Sequence, residues 1–291
     1  MKRRLSWLLI SASAAGLLGC EPALSGAGNS GAPAIPASPT TMPRAAGPSA
    51  SQPDAAGGAS KAKQFRLIVK IRMATIEVPV GTASGSEEIW SYLDEEPVSA
   101  VRSVSLGRNG IRVGLGRDGA WPDLAAAFKR MTGQAPSQSV LAAMPNDPLQ
   151  IILRQHQGEA TIFTFRDDRT LHGRDYPVGD YLLAVACTLD EDDLSKVMLT
   201  AVPQVRSTAR LPAYVMSPLG PQLVNQPETF SLSDLTFRLM VPPKGFIVIG
   251  PGANARNPST AGYHFLTHKR EGVEFETLLV LMPEVLAATI R

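Results

Sequence analysis

The sequence predicts an α+β fold: a small strand–helix–strand–strand–helix module followed by a β-rich domain. Three observations carry this expectation. Phe65 to Val80 alternates and is rich in Leu, Ile and Val, the pattern of a long half-buried strand. Residues 84 to 133 hold two sets of helix-start signals. Beyond residue 149 apolar runs recur at strand length, with no long helical period. The expected boundaries are a leader at 1–19, Cys20 and a linker to 63, the module at 64–135, a connector at 136–148 and the β-rich domain at 149–291.

The linker comes first. Ala, Gly, Ser and Pro dominate residues 21–63, and between Pro22 and Ser60 only Arg44 and Asp54 are charged. Such a segment buries too little apolar surface to offset its ordering entropy. About 40 residues of flexible chain reach on the order of 35 Å, so the segment reads as a tether. Ser60-Lys61-Ala62-Lys63 matches a Ser-x-x-Lys acyl-transfer pattern, but no helix holds it and it is set aside.

In the module, Pro79 and Gly81 end the first strand. Ser84-Gly85-Ser86-Glu87 reads as a capping box, with the Ser84 hydroxyl as cap. A short helix follows with Ile89, Trp90 and Leu93 inward, ending before Pro97. Val101 to Leu106 reads as a second strand, and Asn109-Gly110 as the positive-φ pair of a tight hairpin leading into Ile111–Leu115. The second helix starts at Pro122, presents Leu124, Phe128 and Met131, places Lys129 and Arg130 in its last turn and stops at Gly133. Pro136, Pro145 and Pro148 mark the connector.

In the β-rich half the expected strands are Leu149–Leu153, Ala160–Phe165, Tyr181–Leu189, Val197–Val202, Thr236–Val241, Phe246–Ile249 and Val273–Met282. Two of them run into Pro-x-Val, at Pro203-Gln-Val205 and Pro283-Glu-Val285. Proline lacks the amide that a ladder needs, so each is expected to stop its strand.

Charge and cysteine content limit the function. The chain carries 28 Lys and Arg against 26 Asp and Glu; loss of Lys2, Arg3 and Arg4 with the leader takes 28 to 25. No basic run of five remains, so nucleic acid is not an expected partner. Cys187 lies in an apolar strand and reads as a small buried hydrophobe.

Several motifs resemble sites without the context a site needs. Gly114-Leu-Gly-Arg-Asp-Gly119 fits G-x-G-x-x-G between a strand and a helix. Its strand alternates, whereas a dinucleotide fold needs a buried parallel strand, and no acid-tipped strand follows about 20 residues later. His264 and His268 have helical metal-pair spacing in what reads as loop or strand. Asp190-Glu191-Asp192-Asp193 and Asp167-Asp168-Arg169 read as solvated turns, since no calcium loop pattern surrounds them. Expected catalytic, cofactor and metal residues are therefore none.

Two resemblances to known families remain. Lys2, Arg3 and Arg4, the apolar run Leu5–Leu18, and Gly19-Cys20 resemble the signal and lipobox of bacterial lipoproteins. That resemblance implies cleavage after Gly19, a diacylglycerol on the Cys20 thiol and usually a fatty acid on its amino group. It also implies a cell-envelope protein held to a membrane, which leaves Cys187 without a disulfide partner. The fourteen residues of that run fall short of the ~20 of a spanning helix. The β half resembles a reduced secretin domain, the ring-forming part of bacterial secretion channels. Leu199–Val205, Gly245-Phe-Ile-Val-Ile-Gly250 and Glu276-Thr-Leu-Leu-Val-Leu-Met-Pro283 carry that resemblance, and Ala255–His264 departs from the family's pattern. It implies a non-enzymatic assembly module, a homo-oligomer or an envelope protein partner, and no catalytic residues. The other classes left open are an envelope-polymer hydrolase and a small-ligand lipoprotein, each with a site assembled from distant residues.

Overall fold

The computed structural model describes residues 65–143, 148–166, 168, 170–218 and 220–289. The expected leader and linker, and Cys20, lie outside them. The fold is 57% strand and 18% helix, in antiparallel sheets, so the expectation of an α+β module ahead of a separate β domain is corrected.

The first half contributes β1 (Phe65–Pro79), α1 (Glu87–Trp90), α2 (Ala100–Arg108), β2 (Ile111–Gly116), α3 (Ala120–Thr132) and β3 (Ser137–Ala143). Then come β4 (Leu149–Gln157), β5 (Ala160–Phe165), β6 (Leu171–Tyr176), β7 (Gly179–Leu189), β8 (Val197–Ser217) and β9 (Gly220–Ser231). The chain ends with β10 (Phe237–Val241), β11 (Phe246–Pro251), α4 (Ala261–Leu266), β12 (Thr267–Arg270) and β13 (Val273–Thr289). One sheet runs β2-β11-β13-β1-β3, with β12 also on β13; a second runs β10-β8-β7-β4, with β9 on β8. The strands β5 and β6 pair as a hairpin.

The first sheet mixes both halves of the chain, and this is why no separate module forms. β1 pairs with β13 along its whole length, from Phe65↔Thr289 to Pro79↔Phe275. Side chains alternate across these strands. Val69, Ile71, Ile247, Ile249, Leu279 and Leu281 face the second sheet, against Leu183, Val185, Leu199 and Phe237. Ala74, Ile76, Val78, Val248, Leu278 and Val280 face Ile89, Trp90, Leu124 and Phe128 of α1 and α3. Three layers result: helices, sheet, sheet. A strand covered on both faces needs a continuous apolar run, which Phe246–Pro251 supplies, buried at every position.

Other expectations fail for physical reasons. Val101–Leu106 forms α2, not a strand. Its end is pinned by Asn109, which is fully buried; its amide donates to the carbonyls of Ser105 and Phe165 and accepts from the Phe165 amide. Gly110 then turns the chain at φ 76°, as a helix-ending residue rather than half of a hairpin. A Cβ on Gly262 would sit 2.1 Å from the Gly110 carbonyl oxygen, so two backbones cross where no side chain fits. These contacts outweigh the strand preference of Val101 and Val104, both of which stay exposed. The expected connector contains β3, which extends the first sheet through Val69↔Ala143 to Thr75↔Ser137.

The two prolines do not stop their strands. Each lies where a neighbouring strand ends. Pro203 pairs with Leu183 of β7 on one side. Its other side falls between β10, which starts opposite Ala201, and β9, which ends opposite Gln204; the Pro203 carbonyl there accepts from the Leu232 amide. In β13 the Glu274 carbonyl accepts from Val80 beside β1. Alternation then turns odd-numbered β13 residues, Pro283 among them, to the opposite side, where β11 has its last pair at Ile247↔Leu281. A missing amide costs nothing at such a gap.

Candidate functional site

Two surfaces stand out. The first is an arm. β8 pairs with β7 only as far as Ser207↔Gly179. The register of its pairing with β9 shifts between Arg206 and Arg210, and a two-stranded ribbon then continues from Arg210↔Pro227 to Ser217↔Gly220. Eight residue pairs at ~3.3 Å each give about 26 Å. No charged residue occurs between Arg210 and Glu228. Tyr214 and Met216 are each 79% exposed, Leu223 is 61% exposed and Leu211 53%. Tyr214 stands opposite Leu223 and Met216 opposite Pro221, so one face carries a contiguous apolar strip. An isolated ribbon is marginally stable in water, and an exposed apolar strip of this kind marks a contact surface.

The second surface is a cleft of about 770 Å³. It exists because β13 outruns β11. Met282 to Val285 and Ala287 form one wall; the β10–β11 turn and the entry to α3 form the others. Trp121 meets Phe246 edge-on at 5.7 Å and gives the cleft an aromatic floor. Arg72, Lys244, Asp118 and Glu284 also line it, two of each sign, and the Lys244 ammonium lies 3.5 Å from the Asp118 carboxylate. The cleft is therefore apolar and close to neutral. The turn that carries Lys244 holds it at φ 59°, an uncommon conformation for a residue with a side chain.

Glu276 is the most constrained polar residue, and it lies in the run that ends at Pro283. It is fully buried. One carboxylate oxygen accepts from the Gly81 amide at 2.8 Å and the Ser84 hydroxyl at 2.6 Å. The other accepts from the amides of Ala83 at 2.8 Å and Ser84 at 3.0 Å. All four donors are neutral. Ser84 is thus committed to Glu276, and the helix cap is Ser86, whose hydroxyl accepts from the Ile89 amide. The expected cap at Ser84 is corrected by two residues, to Ser86.

The remaining sequence candidates separate. Gly19 and Cys20, together with Ser60-x-x-Lys63, lie outside the described residues. His264 sits on α4 and His268 on β12. Among the described residues no three His, Cys, Asp or Glu side chains gather as a metal site, and no helix is long and apolar enough to cross a membrane. The acidic run caps the β7–β8 hairpin, where Asp193 accepts from the Ser195 amide and hydroxyl. Cys187 is buried, and desolvation pushes its thiol up to about 11. A thiol so rarely ionised is a poor nucleophile.

Gly114 and Gly116 of the Gly-rich motif serve packing. β2 is antiparallel to β11, and a Cβ on Gly116 would meet the Phe246 ring at 2.0 Å. Gly116→Ala is expected to cost about 1–3 kcal/mol through overpacking, with a matching fall in Tm by calorimetry. An unchanged Tm would contradict the close approach.

His264 belongs to a half-buried cluster. The Arg154 guanidinium donates to the His264 carbonyl at 2.8 Å and lies 5.9 Å from the centre of the Tyr181 ring. Burial, with Arg154 adding to it, pushes the His264 imidazole down to about 4 from an ordinary value near 6.5. Between those two values the unfolded chain binds a proton that the folded one refuses. Stability therefore falls as pH drops through that window. His264→Gln is expected to flatten this dependence, read as urea midpoints at pH 4.5 and pH 7. Equal slopes for the two proteins would count against it.

No protein-family model matches the chain, and no curated protein matches it. Among solved structures it is similar to the InvG secretin domain β-barrel from the Salmonella SPI-1 injectisome NC-base. That likeness has 8% identity and a TM-score of 0.16, over 77% of this chain and 61% of that one. It is also similar to Aeromonas hydrophila ExeD, with 15% identity and a TM-score of 0.17, over 77% of this chain and 47% of that one. The chain thus spans less than two thirds of either, and scores of this size do not establish a shared fold.

Proposed function

We propose that this chain is a non-enzymatic assembly module of the cell envelope, held to a membrane through Cys20 and related to the secretin β domain. The reading rests chiefly on the arm. A ribbon with no charge from Leu211 to Pro227 and with Tyr214, Met216 and Leu223 exposed needs cover from another molecule. Pro212, Pro221 and Pro227 interrupt its amide donors and oppose open-ended edge pairing. Side-chain contact with a partner is the arrangement left. The partner is a second copy of the chain, and the product is a homo-oligomer.

Light scattering on the detergent-extracted full-length protein is expected to give a multiple of the chain mass, and the monomer mass would overturn assembly. The anchor is tested separately. Cys20→Ala is expected to move the protein from the membrane fraction to the soluble fraction, and unchanged sedimentation with membranes would refute lipidation.

A further inference from the structure

We infer that the cleft between β13 and α3 receives the arm of a second copy of this chain. The inference rests on the assembly reading above and names the surface that the arm meets. Three observations support it. The first is chemistry: the arm is uncharged with an exposed apolar strip, and the cleft is mainly apolar, floored by Trp121 and Phe246, with two charges of each sign in its lining. The arm brings no charge of its own, and the Lys244 ammonium of the cleft already lies 3.5 Å from the Asp118 carboxylate, so the arm adds no unpaired charge to the contact.

The second observation is length. β13 runs unpaired on the cleft side from Met282 to its end at Thr289, against seven arm residues from Leu211 to Ser217. The two stretches extend for roughly 26 Å and roughly 23 Å. The third is position. Leu194 and Ser195, in the turn just before β8, line the cleft. The uncharged arm begins at Leu211, fourteen residues along β8 from Val197, roughly 46 Å away in an extended strand. An arm at one end of β8 does not fold back into a cleft at the other. A neighbour's arm reaches it, and the contact is head-to-tail. Such a contact repeats until a ring closes or a filament grows.

The test is disulfide trapping in cells with the full-length protein. Tyr214→Cys and Ala287→Cys in one chain are expected to give a covalent ladder on mild oxidation, at least about tenfold above either single variant. Met216→Cys with Lys244→Cys, both at exposed positions, is a second pair in case the first does not fold. A strong dimer from Tyr214→Cys alone would mean that arms meet arms, and would overturn the inference. So would a multi-subunit mass by light scattering with no ladder from either pair, which leaves the assembly reading standing. A monomer mass would remove both.

Discussion

Glu276→Ala is expected to destabilise the protein by about 3–5 kcal/mol. The mutation leaves the amides of Gly81, Ala83 and Ser84 and the Ser84 hydroxyl without their acceptor in a buried loop. Each unsatisfied buried donor costs about 1–3 kcal/mol, and partial entry of water lowers the total. Glu276→Gln does little better, because its amide nitrogen would face two donors where an oxygen now accepts. Trp90 of α1 donates its indole N–H to the Ala83 carbonyl of this loop, so loss of the acceptor also loosens the helix layer over the first sheet. Urea unfolding of wild type and both variants measures this. A loss under about 1 kcal/mol for Ala would show that Glu276 does not hold the loop.

The second large effect is on assembly. Tyr214→Glu combined with Leu223→Lys places opposite charges directly across the ribbon, where the two residues now face each other. A cross-strand pair of opposite charge preserves the ribbon, since such pairs contribute about 0.2–1 kcal/mol. The apolar strip is lost. Two aromatic or aliphatic anchors at about 2 kcal/mol each correspond to a weakening of association by about 100-fold or more. Tm is expected to stay close to wild type, because both positions are exposed in the single chain. Sedimentation velocity over a dilution series reads the shift toward monomer. A variant that unfolds, or one that assembles like wild type, would show that the strip has another role.

How much of this was legible in the sequence depends on burial. β1, β7, β10 and β11 are visible because their apolar residues meet a layer on at least one face. β6 reads Leu-His-Gly-Arg-Asp-Tyr and is exposed at five of its six positions, so its pairing with β5 leaves no apolar pattern. β9 is mostly exposed and contains two prolines, and for the same reason it is not predicted. α2 was misread because its Val residues suggest a strand, while the anchoring Asn109 acts through Phe165, 56 residues away. The two Pro-x-Val endings mark real boundaries, but of the adjacent strands and not of their own.

The candidate surfaces are less legible still. The charge-free stretch from Leu211 to Pro227 is visible in the residues, yet nothing local says that it leaves the sheet. The cleft depends on where β11 stops against β13, a fact of three-dimensional register. Glu276 appears in the sequence as part of an apolar run, and its four donors lie more than 190 residues earlier. Cys20 is the reverse case: its local sequence suggests a role that no fold is needed to see.

The assembly claim is tested most directly by chemical crosslinking of the full-length protein in cells, followed by sizing of the products. The account predicts a ladder of homo-oligomers that the Tyr214→Glu/Leu223→Lys variant does not form. A product no larger than the single chain, at a crosslinker dose that traps a known oligomer in the same cells, would contradict it.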